Sequence, residues 1–374
     1  MIKKELAAAL LIPIVSLGIA GCSSDEGDDN TINIIGGPVD PTDPTDPTDP
    51  TDPPGGCDLV EEASWVQFNS DCSVGTVSGD ITSDYTFVNT TQWRLDGIVR
   101  VGTGNTTTVE TDADVQALRD AGATLTVEAG TDVRGFGDSA LLITRGSMLM
   151  AEGTLNDPIT FSSIDDDFNG PAEWGGVLLQ GFATQYGQGG TGPCFDDGTT
   201  CNVSGEGGDF VGLFGGNVDD DNSGSLRYVR IAESGFVAGP NNEIQGLTLY
   251  GVGHGTQLEY IHIHDSTDDG VEWFGGTVNL RYAVFTGNDD DDIDFDEGYR
   301  GNIQFAIVQK SQVRSDPGNN DPRGIEANSS DADFVPETEA VLSNVTIMGS
   351  AINNGDGAQP GTRLRGAVNT QLWN

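Results

Sequence analysis

An all-β chain wound as a right-handed parallel β-helix is the fold class that the 374-residue sequence predicts, and three observations predict it. Glycine is abundant at 53 residues, and short apolar alternations separated by turn residues take the place of long helical patterns. A unit then recurs: "LEYIHIHDSTDDGVEWFGG" from Leu258, "LRYAVFTGNDDDDIDFDEG" from Leu280 and "IQFAIVQKSQ" from Ile303 open 22 and 23 residues apart. Such a unit holds two or three short strands and cannot bury its apolar face alone, so successive units must stack coil upon coil. Finally, aligning the units superposes their inward residues. Val229/Ile231, Ile261/Ile263, Ala283/Phe285, Ala306/Val308 and Val345/Ile347 fall into one pair of columns. Leu247/Leu249, Val271/Trp273, Ile293/Phe295 and Ile325/Ala327 fall into another. Parallel strands in register place such columns at about 4.8 Å spacing and give a continuous interior stack.

The elements follow in chain order. Residues 1–21 carry Lys3 and Lys4, an apolar run from Leu6 to Ile19 and small residues before Cys22, the layout of a signal peptide; the run is too short to be a membrane span. Residues 22–56 include "PTDPTDPTDPTDPP", which favours an extended, disordered stalk. Its 35 residues reach roughly 100 Å at about 3.1 Å per residue. Residues 57–97 are expected to form an N-terminal cap region held by a disulfide. "TDADVQALRDAG" predicts one short capping helix, with Thr111 or Asp112 at its start and Val115, Leu118 and Ala121 on one face. The solenoid is expected over 98–374, interrupted by a long insertion from Phe182 to Asn222. The closing "NTQLWN" reads as the opening of another coil stopped in mid strand, so the chain is expected to lack its C-terminal cap.

Five cysteines less Cys22 leave two local pairs, Cys57 with Cys72 and Cys194 with Cys201, expected as disulfides of an exported chain. Metal ligation by these thiols is disfavoured because no CxxC spacing occurs. With 59 acidic and 16 basic residues and a formal charge of −43, nucleic acid and anionic membrane surfaces are poor partners on electrostatic grounds, no nucleic-acid partner is expected, and cations are favoured.

The repeat alignment also stacks acid. Thr248, Glu272, Asp294 and Glu326 occupy one outward column, Asp269, Asp291 and Arg323 another in the adjoining turn, and Asp290 lies over Asp268 with Asp292 nearby. Like charges one rung apart cost on the order of 1 kcal/mol per pair. Hard oxygen ligands in this number suit Ca²⁺ better than Zn²⁺ or Mg²⁺. The competing reading is a solvated acidic face on a salt-adapted protein. Tyr250 and Phe274, outward beside the column, are candidate ligand-binding aromatics, unless they pack under the long insertion. His262 and His264 share a strand face as an HxH pair would, but their column neighbours Arg230, Val284 and Thr286 add no ligand, so exposed polar residues are the expectation.

Two resemblances add to this. "IAGC" resembles the lipobox of bacterial lipoproteins, which implies cleavage before Cys22 and lipid on its sulfur; Ser23, in place of an aspartate, points to the outer membrane. "AEGTLNDPITFSS", "EWGGVLLQG" and "NDDDDIDFDEGYRGNIQFAI" are similar to bacterial surface lipoproteins of the pectin-lyase-like right-handed parallel β-helix superfamily. That resemblance implies fold and location rather than activity. The superfamily's lyases pair Ca²⁺ with an Arg or Lys base, and Arg281, Arg300, Lys310, Arg314 and Arg323 lie near the acidic columns, although no specific lyase motif is present. The expectation is a monomeric, outer-membrane-anchored module, in the bilayer through its lipid alone, that binds a glycan or surface protein with Ca²⁺. The alternative is a Ca²⁺-dependent lyase of uronate-containing polymers.

Overall fold

The structure, a computed structural model, describes residues 63–374 except 166, 169, 188–201, 240–241, 312–321, 330–333 and 351–359. Two long sheets dominate it, one of 14 strands and one of nine, and the chain alternates between them. Apart from the first pair, Val66–Phe68 with Val74–Val77, every ladder in these two sheets is parallel. This is a parallel β-helix, built as the repeat requires.

The register is the one the repeats predict. Val229 pairs with Ile261, Ile261 with Ala283, Ala283 with Ala306 and Ala306 with Val345. In the second sheet Leu249 pairs with Trp273, Trp273 with Phe295 and Phe295 with Ala327. These columns form one continuous buried cluster from Val77 to Leu342, and two smaller clusters lie outside it, around Tyr250 and around Val115. Burial on the interior face fixes the register, because a slip of one residue would turn every apolar side chain outward.

The five long strands of the repeat share a feature that periodicity does not reveal. In Gly224–Ala232, Gln257–His264, Asn279–Thr286, Asn302–Gln309 and Val341–Met348, one residue in mid strand adopts positive φ: Tyr228, Tyr260, Tyr282, Phe305 and Asn344, at 50°, 56°, 60°, 61° and 57°. The pairing skips each of them, so Arg227↔Glu259 is followed by Val229↔Ile261. A left-handed residue turns an otherwise extended chain and forms a corner of the coil. The first four corner rings stack face to face, with centroids 4.4, 4.7 and 5.1 Å apart. Left-handed backbone costs a non-glycine residue about 1–2 kcal/mol, and an aromatic pair returns about 0.5–1.5 kcal/mol. The ladder therefore offsets part of the strain that its own corners create.

Two expectations need correction. Parallel pairing begins before residue 98, since Val74–Val77 already pairs with Gln92–Leu95 and Asp80–Ile81 with Ile98–Val101. The helix Asp112–Ala121 follows these strands and so does not open the solenoid. Its start is as expected: Thr111 Oγ1 accepts from the Asp114 amide at 3.3 Å and the Asp114 carboxylate accepts from the Thr111 amide at 2.9 Å. Val115 is buried against Val109 and Phe182 and Leu118 is half-buried, but Ala121 is exposed.

Cys72 is disulfide-bonded. Cys57, Cys194 and Cys201 lie outside the described residues, as do the signal and stalk regions, so neither expected pairing is described. Gln371–Trp373 pairs in parallel with Val341–Met348. No helix among the described residues is long and apolar enough to cross a membrane.

Candidate metal centre

The acidic column forms as its spacing dictates, with Thr248 paired to Glu272, Glu272 to Asp294 and Asp294 to Glu326. Leu178 precedes it and Arg363 follows it in register. The column is not a solvated face, however. Glu272 is 7% exposed and Glu326 8%.

The cover comes from the insertion. A hairpin of Val203–Ser204 and Leu213–Phe214 brings Val211 and Phe214 onto Leu178, Tyr250 and Phe274. Tyr250 stacks on Phe274 at 5.1 Å and its hydroxyl donates to the Glu206 carbonyl at 2.6 Å. Tyr250 and Phe274 are thus 0% and 3% exposed, which corrects their reading as an open ligand-binding surface; they are the floor on which the insertion packs. The apolar residues of "DFVGLF" within the insertion are the sequence signal for this cover.

The adjoining turn concentrates charge further. Carboxylate oxygens of Asp268, Asp269 and Asp290 lie within 4.8 Å of one another, and so do those of Asp269, Asp291 and Asp294. Asp269 belongs to both groups. The turns are laced together one rung apart: the Asp291 amide donates to Asp269 Oδ1 at 2.9 Å and the Gly270 amide to the Asp291 carbonyl at 2.8 Å. A side chain at Gly270 would place its Cβ 2.6 Å from Asn288 Nδ2 and 2.7 Å from the Asp292 carbonyl, so only glycine lets the rungs close here. Gln245 Nε2 donates to Asp268 Oδ2 at 3.3 Å, and the Arg323 amide donates to Asp291 Oδ1. Asp294 Oδ1 is buried with no hydrogen-bond partner.

Three of the expected ligands stand apart. Asp292 points the other way, where it accepts from Asn288 Nδ2 at 2.8 Å and pairs with Lys310 Nζ at 3.1 Å; it is a neutralised interior carboxylate. Glu326 pairs with Arg363 and Arg365 at 3.4 and 2.6 Å. Glu272 keeps its place in the column but belongs to neither group of three.

Burial is the main cause that pushes these acids up, and like charge adds to it. Asp268, Asp269 and Glu272 rise well above the usual carboxylate range, Asp291 to about 10 and Asp294 to about 7. Nearby, Glu206 of the insertion rises to about 7 and Glu297 to about 8, again chiefly through burial. Such a group either holds protons or takes up a cation. An oxygen-only donor set with no sulfur or imidazole fits a hard divalent ion.

The histidines behave as polar residues, although half-buried. His262 Nε2 and His264 Nδ1 meet Thr286 Oγ1 at 2.9 and 2.8 Å, and burial and Arg230 push His262 down to about 4. Most candidate bases are engaged: Arg281 with Glu259, Arg300 with Asp219 and Lys310 with Asp292. Arg314 lies outside the described residues. Repeat alignment missed one further carboxylate group, Asp165, Asp167, Glu173 and Glu233, because its members come from a turn and a strand end outside the acidic run.

A family model described as "Pectate-lyase like beta helix domain" matches residues 79–374. No curated protein and no solved structure gave a match.

Proposed function

This chain belongs to the pectate-lyase-like beta helix family, and we propose that it acts within that architecture as a Ca²⁺-dependent binding module for a glycan, held at the outer membrane by lipid on Cys22. The observation that supports the calcium reading is the pair of carboxylate groups that share buried Asp269. Asp268, Asp269, Asp290, Asp291 and Asp294 would hold the ion, which would supply charge that the covered turn otherwise lacks. The binding surface we assign is the outer row of Tyr282, Val284, Phe305 and Ile307, which stays exposed where Tyr250 and Phe274 do not.

Binding only to the folded form raises stability by RT ln(1 + [L]/Kd), about 2.7 kcal/mol at a hundredfold excess over Kd. Melting in Ca²⁺, Mg²⁺ and NaCl at matched ionic strength tests this, with Asp294→Asn as control. A Ca²⁺-specific rise that the substitution abolishes is expected; equal rises in all three salts would reduce the site to a screened acidic surface. A glycan array with and without EDTA tests the ligand, and capture of a surface protein with no glycan signal would move the reading to a protein partner. Lyase action is the weaker reading, since Arg281, Arg300 and Lys310 are paired with carboxylates. Unsaturated product absorbing near 232 nm from polyuronates with Ca²⁺ would restore it. For the anchor, Cys22→Ser should abolish acyl labelling and release the protein from membrane fractions.

A further inference from the structure

We propose that Asp165, Asp167, Glu173 and Glu233 form a second calcium site, separate from the cluster centred on Asp269. The four residues converge from two coils. Asp165, Asp167 and Glu173 belong to the turn between the strands Ile159–Ser163 and Val177–Gln180, and Glu233 follows the strand Gly224–Ala232 in the next coil. One carboxylate oxygen from each lies within 4.8 Å of the others. Oxygens that share a Ca²⁺ ion at about 2.3–2.6 Å can lie no more than about 5 Å apart, so the spread suits one ion.

Two further observations point to a missing positive charge. Glu233 is wholly buried, and its Oε1 has no hydrogen-bond partner, although leaving a carboxylate oxygen dry and unpaired is costly. The other oxygen, Oε2, accepts from the Ser163 amide at 3.2 Å and faces Ser163 Oγ at 2.9 Å. That same Oγ lies 2.5 Å from Asp165 Oδ1. A hydroxyl carries one proton, so Ser163 can satisfy only one of these two carboxylates. A cation among the four would satisfy both. The donor set has no histidine or cysteine, which argues against Zn²⁺, and four carboxylates exceed the one or two that Mg²⁺ usually takes.

The backbone is already set to receive such an ion. The Glu173 amide donates to the Glu233 carbonyl at 3.0 Å, and Trp174 Nε1 donates to the Ala232 carbonyl at 2.8 Å. The bound ion would fasten the 164–173 turn to the coil that follows it.

The neighbouring indole of Trp174 makes Tb³⁺ a suitable probe, read by tryptophan-sensitised emission on the full chain, alongside calorimetric titration with CaCl₂. Glu233→Gln and Asp165→Asn test this site, and Asp294→Asn tests the other. Removal of one charged ligand should weaken one class of sites by roughly tenfold or more. The proposal expects Asp165→Asn and Glu233→Gln to remove one bound ion that Asp294→Asn leaves in place. Asp165 is exposed, so its substitution decides the matter even if Glu233→Gln does not fold. Unchanged Ca²⁺ stoichiometry and Tb³⁺ emission in natively folded Asp165→Asn would overturn it. Loss of ions in Asp294→Asn alone would leave the Asp269 cluster standing and sink this second site.

Discussion

Asp292 and Asp294 stand two positions apart and meet opposite fates. Asp294 joins Asp269 and Asp291 with a buried oxygen unpaired, whereas Asp292 is held inside by Lys310 and Asn288. Lys310→Met should leave Asp292 as an uncompensated interior charge and cost about 3–5 kcal/mol in urea unfolding. The double substitution Lys310→Met with Asp292→Leu should recover most of that, and a double variant as unstable as the single would show that the pair is not what matters. Strand alternation made the placement of Asp294 legible from sequence. Asp292 was misread because it precedes the strand Ile293–Asp296, where alternation no longer says which way a side chain turns. The depth of the column was equally illegible, because its cover comes from a segment that has no counterpart in the repeat.

At the scale of elements, the corner ladder decides how well the coils hold together. Tyr260 lies between Tyr228 and Tyr282 and contributes to two stacks. Tyr260→Ala keeps the left-handed strain and loses both contacts, for an expected cost of about 1–3 kcal/mol. Tyr260→Gly loses the same contacts but relieves the strain, so it should be more stable than the alanine variant by about 1 kcal/mol. Thermal melts of the pair check this; an alanine variant at least as stable as the glycine one would mean that the corner carries no strain. An aromatic stands at this place in four of the five units, with Asn344 in the fifth, and of this arrangement only the paired columns on either side were read from the sequence. What was not visible is that the aromatic is the residue the ladder skips, because periodicity counts residues and carries no φ angles.

For the whole molecule, the buried acids tie stability to pH. Glu206 is raised to about 7 and Glu297 to about 8, from an ordinary 4.5. The folded state therefore holds protons that the unfolded chain gives up, so this contribution is present below about pH 4.5 and is lost as pH rises through 7 to 8. In EDTA the melting temperature should fall between pH 5 and 8; a flat or rising profile would show that these carboxylates are solvated. With Ca²⁺ on the neighbouring aspartates the fall should be shallower. Fold class, register and the acidic run were all legible because each follows from the period of the repeat, while the cover and the second carboxylate group depend on segments outside it and the corners on backbone angles that the period does not carry. The period has one more effect. Along the ladder, neighbouring rings are 4.4, 4.7 and 5.1 Å apart, so the outer surface measures distance in steps of one rung. For the glycan partner proposed above, a polymer laid along this row would come into step only where its own repeat matches a whole number of rungs, so the spacing of the rungs, and not the shape of any single pocket, would set the match.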